Sequence, residues 1–211
     1  MHRALLGLFS IIIFILGSPS NAEDDDRSVQ ELTSLLRINP VSEEAYQILV
    51  ERAESGNARA TWSVYLALQN GLGVERDRTL ARQWLERAAG TEELPWAITT
   101  LGNTVLSQDN DLDRARSLWR RAADFGHVGA LRKLSEFDPV EFATRMQLAL
   151  IANDEPLPRA DGDFGPMSRG ALGSYLDRRE LDPTACDEEI SSVDCLRILK
   201  RSGFFDAPKE E

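Results

Sequence analysis

The fold of this chain is decided by residues 81–89, ARQWLERAA, which recur at residues 115–123 as ARSLWRRAA. The alanines recur after 34 residues and the tryptophans after 35, so the copies slip by one position at Trp84 and Trp119. Alanine at fixed places on a helix allows a neighbouring helix to approach closely. A period of this length predicts a chain built from repeated pairs of helices.

A second recurrence extends this pattern. Residues 53–60, AESGNARA, return about two periods later as ADFGHVGA at residues 123–130. A weaker unit, with Leu32, Leu35 and residues 45–53, precedes both. Each unit reads as helix, turn and helix, without convincing strand alternation before Phe137. Because one helix pair cannot bury its apolar face alone, we predict an all-α fold whose first part is a short αα-superhelical repeat solenoid.

The first full unit has a Gly-x-Gly-Val turn at residues 71–74 between two helices. Small residues, one aspartate and one tryptophan surround this turn at fixed spacing: Ala60, Asp77, Ala81, Trp84, Ala88 and Ala89. This string resembles the Sel-one-like repeat, a relative of the tetratricopeptide repeat. Tyr65 stands where that family prefers glycine. The resemblance implies a right-handed superhelix whose concave face binds a protein or peptide.

The second unit matches the same family at Ala97, Leu101, Gly102, Asp113, Ala115, Ala122 and Ala123. Residues 107–111 replace its glycine turn. We assign residues 42–137 to the repeats.

The four tryptophans fall on two kinds of helix. Trp84 and Trp119 lie on the apolar stripe of second helices, so we expect them in the core. Trp62 and Trp96 lie on first helices, which line the concave face in this family. They are the candidate partner-binding residues, since tryptophan is enriched at interface hot spots; a buried role is the alternative.

The pattern changes at Asp138-Pro139, because proline ends the preceding helix. An apolar face follows, made of Phe142, Met146, Leu150 and Ile151. A proline-rich loop then leads to DGDFGP at residues 161–166, and Pro166 is suited to the first turn of a helix. The next apolar face carries Ala171, Leu172 and Tyr175.

The string from Met146-Gln147 through DGDFGP to Tyr175 resembles the small three-helix peptidoglycan-binding domain of bacterial envelope proteins. Leu176 replaces the usual glutamine, and the second Asp-Gly half-repeat of the family is absent. The resemblance implies a peptidoglycan-binding-like domain over residues 138–205, followed by a tail at 206–211. Its candidate glycan-binding residues are Asp161, Asp163, Ser168 and Arg169. Alternatively, Asp161, Gly162, Phe164 and Gly165 only shape the turn and fill the core. We also expect Gly165 to need a backbone conformation that β-branched residues resist.

Cys186 and Cys195 are the only cysteines of the chain. On one continuous helix their Cα atoms would lie about 13.5 Å apart, whereas a disulfide requires roughly 4.4–6.8 Å. The chain must therefore turn between them if they pair. A helix-start signal at residues 191–194 supports a turn, with Cys186 in the preceding loop. A reactive redox pair is the alternative, but the Cys-x-x-Cys spacing is missing.

The N-terminus has the features of a secretory signal. Arg3 precedes the apolar stretch 4–17, and Ser20-Asn21-Ala22 offers small residues at a cleavage site. We predict a signal peptide over residues 1–22 and an acidic, solvated start with a first helix over residues 23–41. The mature protein is then periplasmic or secreted, without stable membrane insertion; an uncleaved anchor is the alternative.

Composition excludes several functions. The net charge of −11 repels phosphate backbones, so nucleic acid is not an expected partner. With two histidines and no nucleophile motif, we expect no catalytic residues, no metal site and no cofactor. The sequence indicates an envelope adaptor that binds a protein partner through its repeats and peptidoglycan through its C-terminal domain. The alternative is a pure interaction module with a structural C-terminal cap, and a cell-wall enzyme is a distant third.

Overall fold

The computed structural model of the protein describes residues 22–38, 43–91, 94–187 and 189–206. The predicted signal segment up to Asn21 lies outside these residues. Eleven α-helices occur in the described part of the chain: α1 (Ala22–Ile38), α2 (Glu43–Glu54), α3 (Ala58–Asn70), α4 (Arg78–Gly90), α5 (Pro95–Thr104), α6 (Leu112–Ala123), α7 (Val128–Phe137), α8 (Pro139–Ala152), α9 (Pro166–Arg178), α10 (Thr184–Asp187) and α11 (Val193–Arg201). The all-α fold of repeated helical hairpins is thereby confirmed. Across the described ranges, no helix is long and apolar enough to cross a membrane.

The chain divides into two compact units after Thr91. In the first unit α1 packs against α2 and α3, and α3 packs against α4. Asn57 and Asp77 cap the N-termini of α3 and α4 with their side chains. Gly71 ends α3 in the left-handed conformation, with φ of 74°, which glycine adopts without strain. The predicted Gly-x-Gly-Val turn is therefore present, and so is the weaker first hairpin.

The acidic stretch after residue 22 belongs to the first helix. Helix α1 begins at Ala22. Acidic residues at a helix N-terminus complement the positive end of its dipole, so a run of acids starts a helix well.

In the second compact unit, α5 with α6 and α7 with α8 form the next two hairpins. Helix α5 continues into a π-helical turn, Val105–Asp109, which ends at Asn110 with φ of 54°. This turn occupies the place of the missing glycine turn. Asp111 caps α6, because its carboxylate accepts from the backbone N–H of Arg114 at 2.9 Å.

The two core tryptophans are buried as predicted, with Trp119 completely covered. Trp119 packs directly on Gly102 of α5, where an added Cβ would lie 2.6 Å from the indole Nε1. That nitrogen donates to Asn103 Oδ1 at 3.2 Å. The missing side chain at Gly102 thus makes room for the indole.

The C-terminal helices do not form a unit of their own, although we predicted a boundary at residue 138. Helix α7 contacts both α8 and α11, so these helices share a core with the last repeat. Phe142, Met146 and Leu150 are buried on α8 as expected, but Ile151 is 36% exposed. Ile151 directly follows Leu150 along the helix and therefore points away from the buried stripe.

Helix α11 packs beside α7 much as one first helix packs beside the next. Helix α3 contacts α1 and α7 contacts α5, and both pairs join the first helices of successive hairpins. Helix α11 takes up the free side of α7, with Leu196, Leu199 and the following Phe204 completely buried. The C-terminal segment thus ends the stack by supplying a helix where another repeat would begin.

Candidate functional site

A shallow groove of about 290 Å³ runs between α1 and α3 in the first unit. Its floor includes Thr33, whose hydroxyl donates to Ser63 Oγ at 2.8 Å and joins the two helices. Trp62 is half-buried in its wall, and its ring lies 4.9 Å from the ring of Tyr65. Burial raises the pKa of the Tyr65 phenol, so this ring pair stays uncharged at neutral pH.

The groove combines apolar and polar side chains. It is lined by Val29, Gln30, Thr33, Ser34, Arg59, Trp62, Ser63 and Leu66. Arg59, Trp62, Ser63 and Leu66 follow the i, i+3, i+4, i+7 spacing of one helix face. A half-exposed indole with amide and hydroxyl groups on either side suits a peptide better than a small reacting substrate.

The second candidate anchor, Trp96, does not share the repeat position of Trp62. Aligning Ala60 with Ala97 places Trp96 where Arg59 stands in the first unit, and Thr99 where Trp62 stands. Trp96 is half-buried on α5 in the other compact unit. The two tryptophans are therefore not equivalent residues of a repeated site.

The loop at residues 161–168 is organised by one buried amide. Gln147, which is 2% exposed on α8, brings its Nε2 within 2.9 Å of Asp161 Oδ1, 2.9 Å of Asp163 O and 3.0 Å of Ser168 Oγ. Its Oε1 accepts from the backbone N–H of Gly162 at 2.8 Å. The Gln147 side chain thus forms hydrogen bonds with both the beginning and the end of this loop.

Gln147 is the residue whose structural role the sequence interpretation missed. The signal was present: a glutamine stands between Met146 and Leu150 on a helix face that is otherwise buried and apolar. A buried amide needs partners for its donors and its acceptor, so its position indicates a polar turn packed against it.

The four candidate glycan-binding residues differ in accessibility. Asp163 and Arg169 are exposed, whereas Ser168 is buried against Gln147. Asp161 is exposed, but its carboxylate accepts hydrogen bonds from the Gln147 amide and the Asp163 backbone N–H. The Gln147 amide, then the Asp163 backbone N–H, lowers the pKa of its carboxyl. Ser168 shapes the loop, and Asp163 and Arg169 are the groups free to meet a ligand.

A cleft of about 560 Å³ lies against this loop. Its lining includes the charged Asp163 and Arg159 as well as the apolar Leu157, Pro158 and Met167. Met167 is 67% exposed. The cleft therefore combines charged groups with an accessible apolar surface.

Gly162, not Gly165, is the residue that the turn requires. Gly162 has φ of +77°, and an added Cβ would lie 2.7 Å from Val140 Cγ1. Gly165 has φ of −80°, which any residue adopts, and its nearest neighbour would be the Asp163 carboxylate at 3.8 Å. The expectation of a special backbone at Gly165 was wrong, because the left-handed residue comes at the start of the turn.

Cys186 and Cys195 form a disulfide with Cα atoms 4.8 Å apart. The chain turns between them, and Cys186 lies on the one-turn helix α10 rather than in a loop. Ser192 caps α11 by accepting from the backbone N–H of Cys195 at 3.1 Å, and its hydroxyl donates to Ala185 O. Both sulfurs are buried, so the bond staples α10 to α11.

No group of three His, Cys, Asp or Glu side chains within the described ranges is placed to hold a metal ion.

Comparison with known proteins identifies the repeats. Residues 64–89 and 105–127 match the family model of the Sel1 repeat. The crystal structure of a Sel1 repeat protein from Oxalobacter formigenes resembles this chain with a TM-score of 0.51 and 15% identity, over 90% of this chain and 91% of that one. No curated protein matches the sequence significantly. The two matched stretches are similar to Sel1 repeats and together cover less than half of the chain.

Proposed function

We propose that this protein is an exported, non-catalytic interaction module that holds a peptide segment of an envelope protein in the groove between α1 and α3. The observation that carries the proposal is the half-exposed Trp62 on Tyr65, set in a groove with polar walls. Aromatic anchors of this kind bury large area at little entropic cost, because each has only two rotatable side-chain bonds.

The C-terminal helices serve as a structural cap in this proposal. Helix α11 covers α7, and the Gln147 amide takes up the polar groups of the loop that resembles a glycan-binding turn. A repeat stack needs such an end, since an uncovered last hairpin exposes apolar surface to water. This supports the pure interaction module over the two-sided adaptor.

Export is tested on the protein made in a bacterial host. N-terminal sequencing of the periplasmic fraction should begin at Glu23. An intact N-terminus in the membrane fraction would favour the uncleaved anchor.

Partner binding is tested with Trp62→Ala against Leu80→Ala, an apolar residue on α4 that is 37% exposed and does not line the groove. Proteins captured from envelope extracts are identified, purified and titrated by calorimetry. Loss of an anchoring tryptophan should cost about 2 kcal/mol, roughly a 30-fold rise in Kd. Leu80→Ala should bind like the parent. Equal affinity for all three proteins would refute the groove as the binding site.

Peptidoglycan binding is the second candidate, favoured by the cleft beside Asp163 and Met167. If the cleft binds glycan or stem peptide, the full chain should co-sediment with purified sacculi. Asp163→Ala with Arg159→Ala, which removes two charged side chains that line the cleft, should then weaken sedimentation. Asp194→Ala with Arg197→Ala, an exposed pair on α11, removes the same charges elsewhere and should not. Absence of co-sedimentation at low salt would exclude peptidoglycan binding and leave the pure interaction module as the proposed function.

A further inference from the structure

His127 occupies the N-cap position of α7 without capping it. Its counterpart two periods earlier, Asn57, caps α3 by accepting from the backbone N–H of Ala60 at 2.8 Å. At His127 no side-chain capping bond forms. The ring instead turns toward α5, where Nδ1 lies 2.8 Å from Thr99 Oγ1.

The hydrogen bonds around Thr99 define which nitrogen carries the proton. The Thr99 hydroxyl donates to Pro95 O at 2.9 Å, so its oxygen is left to accept from Nδ1–H of His127. The Nε2 atom is then the site of further protonation. The ring is closely packed as well, since a Cβ on Gly129 would lie 3.0 Å from its Cε1.

Helix α11 is anchored beside this ring. Lys200 Nζ donates to Phe125 O at 3.3 Å, two residues before His127. A Cβ on Gly126 would lie 3.1 Å from Phe205 Cβ, so the segment after α11 packs directly on the turn that precedes α7. His127 therefore stands where α5, the start of α7 and the C-terminal segment meet.

We propose that His127 is an acid-sensitive contact: its neutral ring joins α5 to α7 and permits α11 to stay packed on α7, and its protonation loosens α11. A second proton would place a positive ring at the positive end of the α7 dipole, near the Lys200 ammonium. Both interactions are repulsive. The cap would thus open in acid, whatever partner the repeats hold.

The surrounding charges agree with this direction. Burial, then the Lys200 ammonium, lowers the pKa of His127 from its ordinary 6.5. Helix α5 contains no ionisable residue. In the turn before α7, Asp124 is paired with Arg145 of α8 at 2.6 Å, and Arg145 also binds Glu141. Because the folded state holds the proton less tightly than the unfolded state, stability is present above pH 6.5 and is lost as the pH falls toward the folded pKa.

The test is amide hydrogen exchange of the full chain at pH 7.5 and pH 5.0, corrected for intrinsic rates. Protection of the α11 amides should fall severalfold at pH 5.0, because the opened state binds the His127 proton more tightly than the closed state. Protection in α3, which Asn57 caps, should stay constant and serves as the internal control. NMR titration of the His127 ring, the only described histidine, should show a midpoint below 6.5.

The matched variant is His127→Asn, which restores the residue that the repeat carries at Asn57. Its α11 protection should not change between the two pH values. If that variant does not fold, His127→Gln keeps an amide of different length and gives the same readout. A loss of α11 protection at pH 5.0 that persists in either variant, a wild-type protein without pH response, or an ordinary ring titration would each overturn the proposal.

Discussion

At the scale of single residues, the hairpins α3–α4 and α5–α6 differ in which helix carries the larger side chain at corresponding positions. In the second unit glycine stands at residue 102 and the large indole of Trp119 packs on it. In the corresponding places of the first unit stand Tyr65 and Leu85, so the large residue has moved to the first helix. This exchange explains why the tryptophans of the two copies slip by one position.

Gly102→Ala should therefore destabilise the protein. The added methyl would lie 2.6 Å from Nε1 and 2.8 Å from Cδ1 of Trp119, so the indole or the helix must shift. We expect a loss of about 1–3 kcal/mol from overpacking, measured by urea denaturation followed by tryptophan fluorescence.

The matched control for that experiment is Gly173→Ala in α9, where nothing lies within 4 Å of an added Cβ. Alanine there should stabilise the helix by about 0.5–1 kcal/mol through its better propensity. Equal effects of the two substitutions would contradict the close packing of Trp119 on Gly102.

At the scale of elements, a buried amide on one helix determines the shape of the loop before the next. Gln147 on α8 reaches both the beginning of the turn, at Gly162, and its end, at Ser168. Gly162 in turn packs against Val140 of the same helix. The loop is thereby held against α8 before α9 begins at Pro166.

Gln147→Ala should raise the pKa of Asp161 toward its ordinary value, because the Gln147 amide is the main cause of the lowering. Leaving the Gly162 N–H and its neighbours unsatisfied should also cost about 1–3 kcal/mol of stability. Carboxyl carbon NMR during an acid titration measures the first effect.

Asp182 provides the internal control in the same spectra. Its pKa is lowered by the hydroxyl and backbone N–H of Thr184, which Gln147 does not touch. Its titration should be unchanged by the substitution. An Asp161 titration that also stays unchanged would mean that the amide does not hold the carboxylate.

At the scale of the whole molecule, stability should respond to acid in two ranges. The first, below pH 6.5, belongs to His127. The second begins near pH 3.8, where Asp161 and Asp182 titrate in the unfolded chain but remain ionised in the folded one. Since their folded pKa values are lowered, their contribution is present above pH 3.8 and is lost as the pH falls through the folded values.

Asp182→Asn should reduce the dependence of stability on pH in the second range. We expect the urea midpoint of this variant to fall less between pH 4 and pH 2.5 than that of the parent. Asp194→Asn, at a side chain that is 82% exposed, makes the same charge change as a control. Identical slopes for parent and Asp182→Asn would contradict the assignment.

The sequence by itself determined the helical repeats and the residues that end their helices. The 34-residue spacing of alanines, the Gly71 turn and the caps at Asn57 and Asp77 are local features, so they could be predicted without knowing what packs where. The turn between Cys186 and Cys195 follows from chain geometry in the same way. The buried places of Trp84 and Trp119 follow from helical periodicity.

Tertiary structure decided which of the candidate residues are accessible and what the C-terminus does. The sequence gives Ser168 and Asp163 equally as candidate glycan-binding residues. The position of Gln147 on a neighbouring helix buries Ser168 and leaves Asp163 exposed. Helix α11 becomes the end of the stack only because it packs against α7, which lies far from it along the chain. Both outcomes depend on contacts between residues far apart in the chain, and periodicity reports only which face of a helix is buried, not what buries it.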